Sequence, residues 1–249
     1  MNRFEDRVLL VTGAASGIGR ASAIRMAQEG GKIVCVDIQQ EAVNETADEI
    51  RKNNGEALAL ICDVSDPGSV KKTVLESVSH FGKLNGLCNI AGILAFENTV
   101  DVTLEDWNRI IAVNLTGTFL MCQAALPHLL ETKGPIVNMS STAALAGHPW
   151  TAAYSASKGG ILALTYTLAI EYGRKGVRAN ALCPGAVMTP IQQAFKYPEG
   201  VDESLLEKIM PFDDFRPPED VAGAVAFLAS DDSIHMNGSA LRIDGGMLS

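Results

Sequence analysis

Seven short stretches of the chain are apolar at nearly every position: RVLLVT (7–12), KIVCVD (32–37), ALALIC (57–62), GLCNIAG (86–92), PIVNMSS (135–141), VRANAL (177–182) and ALRID (240–244). Apolar residues on successive rather than alternate positions suit strands covered on both faces. Between most of these runs the apolar positions recur at helical spacing, as in VSDPGSVKKTVLESVSHFG. That alternation predicts βαβ units and an α/β fold: a doubly wound, mostly parallel seven-stranded sheet with helices on both faces. Helix starts are legible at Ser65-Asp66-Pro67 and Pro217-Pro218-Glu219, and Thr103 with Asp106 fits a capping box. The rhythm runs unbroken from residue 7 to about 182, so the reading is one domain over 1–249.

One segment breaks the pattern. Residues 186–216 carry several prolines, mixed charge and only weak helical spacing before a clear helix resumes. A stretch of that length inside a compact domain is usually functional, so we expect a lid over the substrate; a plain surface excursion is the alternative.

Composition narrows the function classes. With 47% hydrophobic and 20% charged residues, the chain has material for a soluble core. A net charge of -9 argues against nucleic acid as the main partner, and weakly against an acidic protein. The apolar run GGILALTYTLAI (159–170) is well short of the roughly 20 residues a membrane span needs. The start does not read as a signal peptide. Cys35, Cys62, Cys88, Cys122 and Cys183 are scattered singly among apolar neighbours, as in a reduced, cytoplasmic protein. His80, His128, His148 and His235 show no ligand spacing, so no metal is expected.

The candidate chemistry begins at VTGAASGIGR (11–20), between the first strand and the first helix. Gly13, Gly17 and Gly19 permit a tight turn that brings backbone N–H groups and the positive helix end to a pyrophosphate, with Ser16 and Ile18 beside them. Asp37 closes the second strand 18 residues beyond Gly19, where a carboxylate can hydrogen-bond a ribose 2′-hydroxyl, with Ile38 next to it. Asp37 could also serve as a helix N-cap. A carboxylate there repels a 2′-phosphate, no Lys or Arg follows within 38–40, and Arg20 is read as beginning the exposed side of its helix. The expected cofactor is therefore NAD rather than NADP.

Thr12-Gly13-x-x-x-Gly17-x-Gly19 together with Tyr154-x-x-x-Lys158 resembles the short-chain dehydrogenase/reductase family, in its short single-domain branch with a Rossmann fold. NIAG (89–92) resembles the family's Asn-Asn-Ala-Gly motif, departing at Ile90, and implies cofactor contacts at Asn89, Ala91 and Gly92. CDVSD (62–66) resembles the turn that contacts adenine, implying that role for Asp63 and Val64. PGAVMT (184–189) resembles the nicotinamide-contacting turn, implying Pro184, Gly185, Val187 and Thr189. RIDGG (242–246) resembles the family's ending, so the likeness spans essentially the whole chain. Tetramers built through helix pairs are implied by the resemblance alone, with a homodimer also open.

Reducing a ketone by hydride transfer builds charge on the carbonyl oxygen, which an acid must quench; oxidation needs the reverse. Tyrosine, with an ordinary pKa of about 10, needs roughly 4 kcal/mol of differential stabilisation of its phenolate to work near neutrality. Lys158, four residues after Tyr154, shares its helical face, and a nearby cation favours the phenolate. Ser155, Ala156 and Ser157 keep the helix slim beside the cofactor. By resemblance Lys158 and Tyr154 also touch the cofactor, Lys158 through the nicotinamide ribose. Ser141, 13 residues before Tyr154, can steady the substrate oxygen; Ser140 is its rival, and strand alternation sends only one of them to the crevice. Asn114 matches the family's fourth member, which the resemblance places on a water-borne proton relay; a helix asparagine bonded to its own backbone is the alternative. The expected catalytic set is Asn114, Ser141, Tyr154 and Lys158.

The substrate pocket is expected to draw on Ala143, Ala144, His148, Trp150, Val187, Met188, Ile191 and Phe195, with oligomer packing a rival role for His148 and Trp150. None of these carries a fixed charge, which favours a neutral secondary alcohol or ketone. A 3-oxoacyl-carrier-protein reductase shares every motif, although Asp37 and the net charge weigh against it. A methyltransferase has no use for Tyr154 and Lys158, and a non-catalytic dinucleotide sensor would not need the full set.

Overall fold

The computed structural model describes residues 2–193, 197–202, 204–205, 209–210 and 214–249. All seven apolar runs contribute strands: β1 Val8–Thr12, β2 Lys32–Asp37, β3 Glu56–Ile61, β4 Gly86–Asn89, β5 Ile136–Met139, β6 Ala179–Pro184 and β7 Ala240–Ile243. They form one sheet in the order β3-β2-β1-β4-β5-β6-β7, and every neighbouring pair is parallel. This is the doubly wound Rossmann arrangement, with the order reversing between β1 and β4.

The connecting helices are α1 Gly17–Gln28, α2 Gln40–Lys52, α3 Pro67–Phe81, α4 Leu104–Ile111, α5 Gly117–Thr132, α6 Ala152–Gly173, the single turn α7 Pro190–Gln193, and α8 Pro218–Ala229. Their starts follow local chemistry. Asp66 accepts from Gly68 N–H with Pro67 in the first turn, and Thr103 accepts from Asp106 N–H while its hydroxyl bonds the Asp106 carboxylate. Pro218 stands in the first turn of α8, whose N-cap, Pro217, makes no side-chain bond.

The continuous apolarity of the strands is explained by two cores. Leu9, Val11, Ile33 and Cys35 pack with Met26 of α1, Val43 of α2 and Val225 of α8 on one face. Val8, Leu10, Val34 and Val36 pack with Val74 of α3, Leu129 of α5 and Leu168 of α6 on the other. The helical stretch Leu104–Thr132 is long and apolar enough by composition to cross a bilayer. Here Met121, Cys122, Ala125 and Leu129 along it are buried against the sheet.

Parallel register lines up the strands' carboxyl ends. Thr12 stands opposite Val36, Asn89 opposite Asn138, Met139 opposite Leu182 and Pro184 opposite Ile243. A crevice outside these ends, at the point of reversal, is where such sheets bind ligands.

Candidate active site

The loop after β1 is held shut by contacts that only glycine allows. Gly13 has φ 70°, and a Cβ there would lie 2.9 Å from the Ala91 nitrogen. A Cβ on Gly19 would lie 2.0 Å from the Gly13 carbonyl oxygen. The Thr12 hydroxyl accepts from both Ile90 and Ala91 N–H, tying the ends of β1 and β4 together. Ser16 stands at the N-cap of α1 but makes no side-chain cap bond, and the first turn holds no acidic residue. The first turn of α1 thus offers no anion of its own to the positive helix end. Together these features fit a dinucleotide's pyrophosphate.

Asp37 does not cap α2; Gln39 holds that position. Its carboxylate instead accepts from Ala15 N–H at 3.1 Å and Gln39 N–H at 3.0 Å, bridging the glycine loop to the end of β2. Ile38 beside it is 63% exposed. Arg20 is paired with Glu49, so it is committed away from the Asp37 site. Asp63 accepts from the Ser65 backbone and hydroxyl, shaping the turn that includes Val64. Asn89, at the carboxyl end of β4, is buried and donates to Asn138 and Cys122. On the opposite wall Thr189 lies against Gly17, whose Cβ would meet its methyl at 3.1 Å, and Gly185 N–H donates to Ile243.

β5 and α6 bring the reactive side chains together. Ser140 donates to the Lys158 carbonyl at 2.9 Å, so it faces the helix backbone. Ser141 lines a cavity with Tyr154, and its oxygen accepts from Ala143 N–H at 3.1 Å, which leaves its proton to donate. Lys158 is 3% exposed, and its Nζ donates to the Met139 carbonyl at 2.8 Å. A Cβ on Gly92 would stand 3.4 Å from that Nζ. Burial draws the Lys158 ammonium down to about 8.

The expected lowering of Tyr154 by Lys158 is not what the chain alone produces. Burial pushes the phenol above its ordinary value, and a hydrogen bond with Ser141 pulls it the other way. The reason is geometric: Nζ stands over the ring face, 5.5 Å from its centroid, and spends a proton on Met139. Of the three small residues between Tyr154 and Lys158, Ala156 is exposed, Ser155 bonds Thr151 at 2.8 Å and Ser157 is buried.

Asn114 sits in a π-helical turn, Ala112–Thr116, between α4 and α5. Such turns recur at functional sites because they re-aim one side chain. Its amide does not bond its own helix. Its oxygen accepts from Ile93 N–H at 2.8 Å, and its nitrogen donates to the Ile93 carbonyl at 2.9 Å and Ser157 Oγ at 3.1 Å. Ser157 in turn donates to the Tyr154 carbonyl at 2.7 Å. Asn114 therefore braces the end of β4 against α6. The sequence reading missed Ser157 in this brace, since its only signal was its place beside Lys158.

The cavity beside Tyr154 has a volume of about 70 Å³. His148, alone among Ala143, Ala144, His148, Trp150, Val187, Met188 and Ile191, lines it. Ala143 is buried behind Ser141, while Met188 and Ile191 are substantially exposed. Trp150 packs its ring on Tyr197 at 5.8 Å, and Tyr197 packs on Phe96 at 5.1 Å. Phe195 lies outside the described residues. The 186–216 segment contributes Ala186, Ile209 and Met210, unforeseen lining comes from Leu94, Phe96 and Met247, and no described lining residue carries a fixed charge. The 186–216 segment is stitched at its base: Val187 bridges Arg216, and Met188 N–H donates to Arg216 at 2.8 Å.

Comparison with known proteins places these features in context. A family profile described as enoyl-(acyl carrier protein) reductase matches residues 13–248. The chain is 39% identical over 246 residues to D-threitol dehydrogenase of Mycolicibacterium smegmatis, covering 98% of this chain and 94% of the relative. It is 37% identical over 247 residues to 3-oxoacyl-[acyl-carrier-protein] reductase of Thermotoga maritima, covering 99% of each. A crystal structure of a short chain dehydrogenase from Mycobacterium paratuberculosis bound to NAD superposes with a TM-score of 0.92 at 31% identity, covering 98% of both chains.

Proposed function

The chain belongs to the short-chain dehydrogenase/reductase family and is an oxidoreductase acting on CH–OH groups, and on that footing we propose that it is an NAD-linked dehydrogenase of a neutral secondary alcohol. The observation that carries this reading is the convergence of Ser141 and Tyr154 on a cavity with no charged lining among the described residues, beside the uncapped end of α1. The relative that acts on D-threitol, a neutral polyol, is consistent with it.

Gly13, Ser16, Gly17, Ile18 and Gly19 would hold the pyrophosphate, Asp37 and Ile38 the adenosine ribose, Asp63 and Val64 the adenine, and Gly185, Val187 and Thr189 the nicotinamide. A bound nicotinamide dinucleotide supplies the hydride acceptor in oxidation and the donor in reduction. The chain's own part is the proton. In oxidation the Tyr154 phenolate takes the carbinol proton while Ser141 donates to the same oxygen. In reduction Tyr154 returns it. Lys158 contributes a cation fixed by Met139, and Asn114 holds the frame through Ile93 and Ser157. The preference for NAD rests on Asp37 and on the commitment of Arg20 to Glu49.

The five cysteines are buried and unpaired, which suits a reducing cytoplasm. We also propose a homotetramer, because Ile170 (84%) and Tyr166 (43%) on α6 and Phe119 (44%) on α5 are exposed apolar side chains.

The deciding experiment follows nicotinamide absorbance with NAD⁺ and NADP⁺ over a panel of secondary alcohols and ketones. Turnover with neutral alcohols and NAD⁺ is expected; cofactor binding with no turnover of any alcohol or ketone would overturn the reading. A carrier-bound 3-oxoacyl substrate belongs in the same panel, because the Thermotoga maritima relative favours that second reading. Faster turnover of it with NADPH would establish the alternative.

A further inference from the structure

We infer that the substrate carries a second neutral oxygen near the carbon that reacts, and that His148 Nε2 hydrogen-bonds it. This rests on the dehydrogenase reading above. Among the described residues three buried side-chain polar atoms have no hydrogen-bond partner: Ser22 Oγ, Asn89 Oδ1 and His148 Nε2. Of the three residues, only His148 lines the cavity that holds Ser141 and Tyr154. A buried nitrogen left unpaired costs free energy, and in a native fold such an atom calls for a partner the chain does not supply.

The ring is also placed rather than loose. The Thr151 hydroxyl donates to the His148 carbonyl at 2.9 Å. Two residues on, Trp150 holds φ 60°, a left-handed conformation uncommon for a bulky side chain, and its carbonyl accepts from Glu97 N–H at 2.8 Å. The loop between β5 and α6 is therefore pinned from His148 to Thr151, and strain of this kind persists where the surroundings over-determine it.

The chemistry of the partner follows from the state of the ring. Burial draws His148 below its ordinary value, so near neutrality the imidazole is uncharged and offers either a donor or an acceptor at Nε2. A neutral imidazole pairs with a hydroxyl or a carbonyl and gives no charge to a carboxylate or phosphate. With Leu94, Phe96 and Met210 supplying apolar lining, the fit is a small diol, hydroxyketone or diketone.

The test compares 2,3-butanediol with 2-butanol, and acetoin with 2-butanone, for the wild type, His148→Phe and His148→Gln. The wild type should prefer each two-oxygen substrate by about tenfold or more in kcat/KM, mainly through KM. His148→Phe should erase most of that ratio, and His148→Gln, which keeps a donor and an acceptor, should restore part of it. Thermal melts and cofactor fluorescence on the same samples establish that each variant is folded; if His148→Phe does not fold, the Gln variant and the wild-type ratio decide. No preference in the wild type, or equal losses on both substrates of a pair, would sink this inference while leaving the dehydrogenase reading intact. Absence of turnover with every alcohol and ketone would remove both.

Discussion

Lys158 Nζ lies over the Tyr154 ring, 5.5 Å from its centroid, while donating to the Met139 carbonyl at 2.8 Å. The ammonium is thus held by backbone and buried, with no carboxylate partner among the described residues, and it adds a cationic field to the site at a cost in stability.

That cost has a pH signature. The folded lysine titrates at about 8 and the unfolded one near 10.5, so between those values the unfolded chain binds more protons than the folded one. Stability from this group therefore rises with pH across that window, by about 3 kcal/mol in full. The thermal midpoint of the wild type should climb from pH 8 to 10.5 relative to Lys158→Met, and parallel profiles would refute the assignment.

Ser141 stabilises the charged form of Tyr154 against burial. Ser141→Ala should move the rising limb of the oxidation pH–rate profile to higher pH, because the phenolate then forms less readily. The same change should lower kcat by about 10²–10³. Reduction, which needs the protonated phenol, should fall off on the alkaline side instead. Stopped-flow absorbance in both directions measures the two limbs.

Asp37 does two jobs that one substitution should separate. Asp37→Ala removes the charge that repels a 2′-phosphate, so the NAD⁺ to NADP⁺ ratio of kcat/KM should fall by about tenfold. It also leaves Ala15 and Gln39 N–H without their acceptor, so the thermal midpoint should drop as well. Asp37→Asn keeps only one of the two acceptor oxygens, so it should recover the midpoint in part and leave discrimination weakened.

Asn114→Ala should destabilise the fold by about 2–3 kcal/mol, since Ile93 loses a partner for both its N–H and its carbonyl. Hydrogen exchange at Ile93 and along the π-helical turn should quicken, as read by mass spectrometry. Unchanged protection there would mean the brace is not what Asn114 provides.

Much of this site is legible along the chain. Tyr154 and Lys158 share a helix face by spacing, and Gly13, Gly17 and Gly19 announce a turn that side chains would block. Strand alternation sends only one of Ser140 and Ser141 to the crevice, the resemblance selects Ser141, and in the structure Ser140 turns to the Lys158 carbonyl while Ser141 lines the cavity. The pocket is legible by segment but not by residue: His148 and the 186–216 stretch do line it, through Ala186 and Met210 rather than Met188 and Ile191, and Leu94, Phe96 and Met247 join from far away along the chain.

The sequence by itself determined the parallel sheet and the glycine loop, which follow from local periodicity and fixed spacing, while the Ser141, Tyr154 and Lys158 set came from resemblance to the family. Only the tertiary structure decided that Asn114 braces Ile93 and Ser157, that His148, whose Nε2 is buried without a partner, lines the cavity, and that burial drives Tyr154 up and Lys158 down. Those outcomes depend on side-chain direction and on exclusion of water by residues distant in the chain, and neither quantity is carried by spacing.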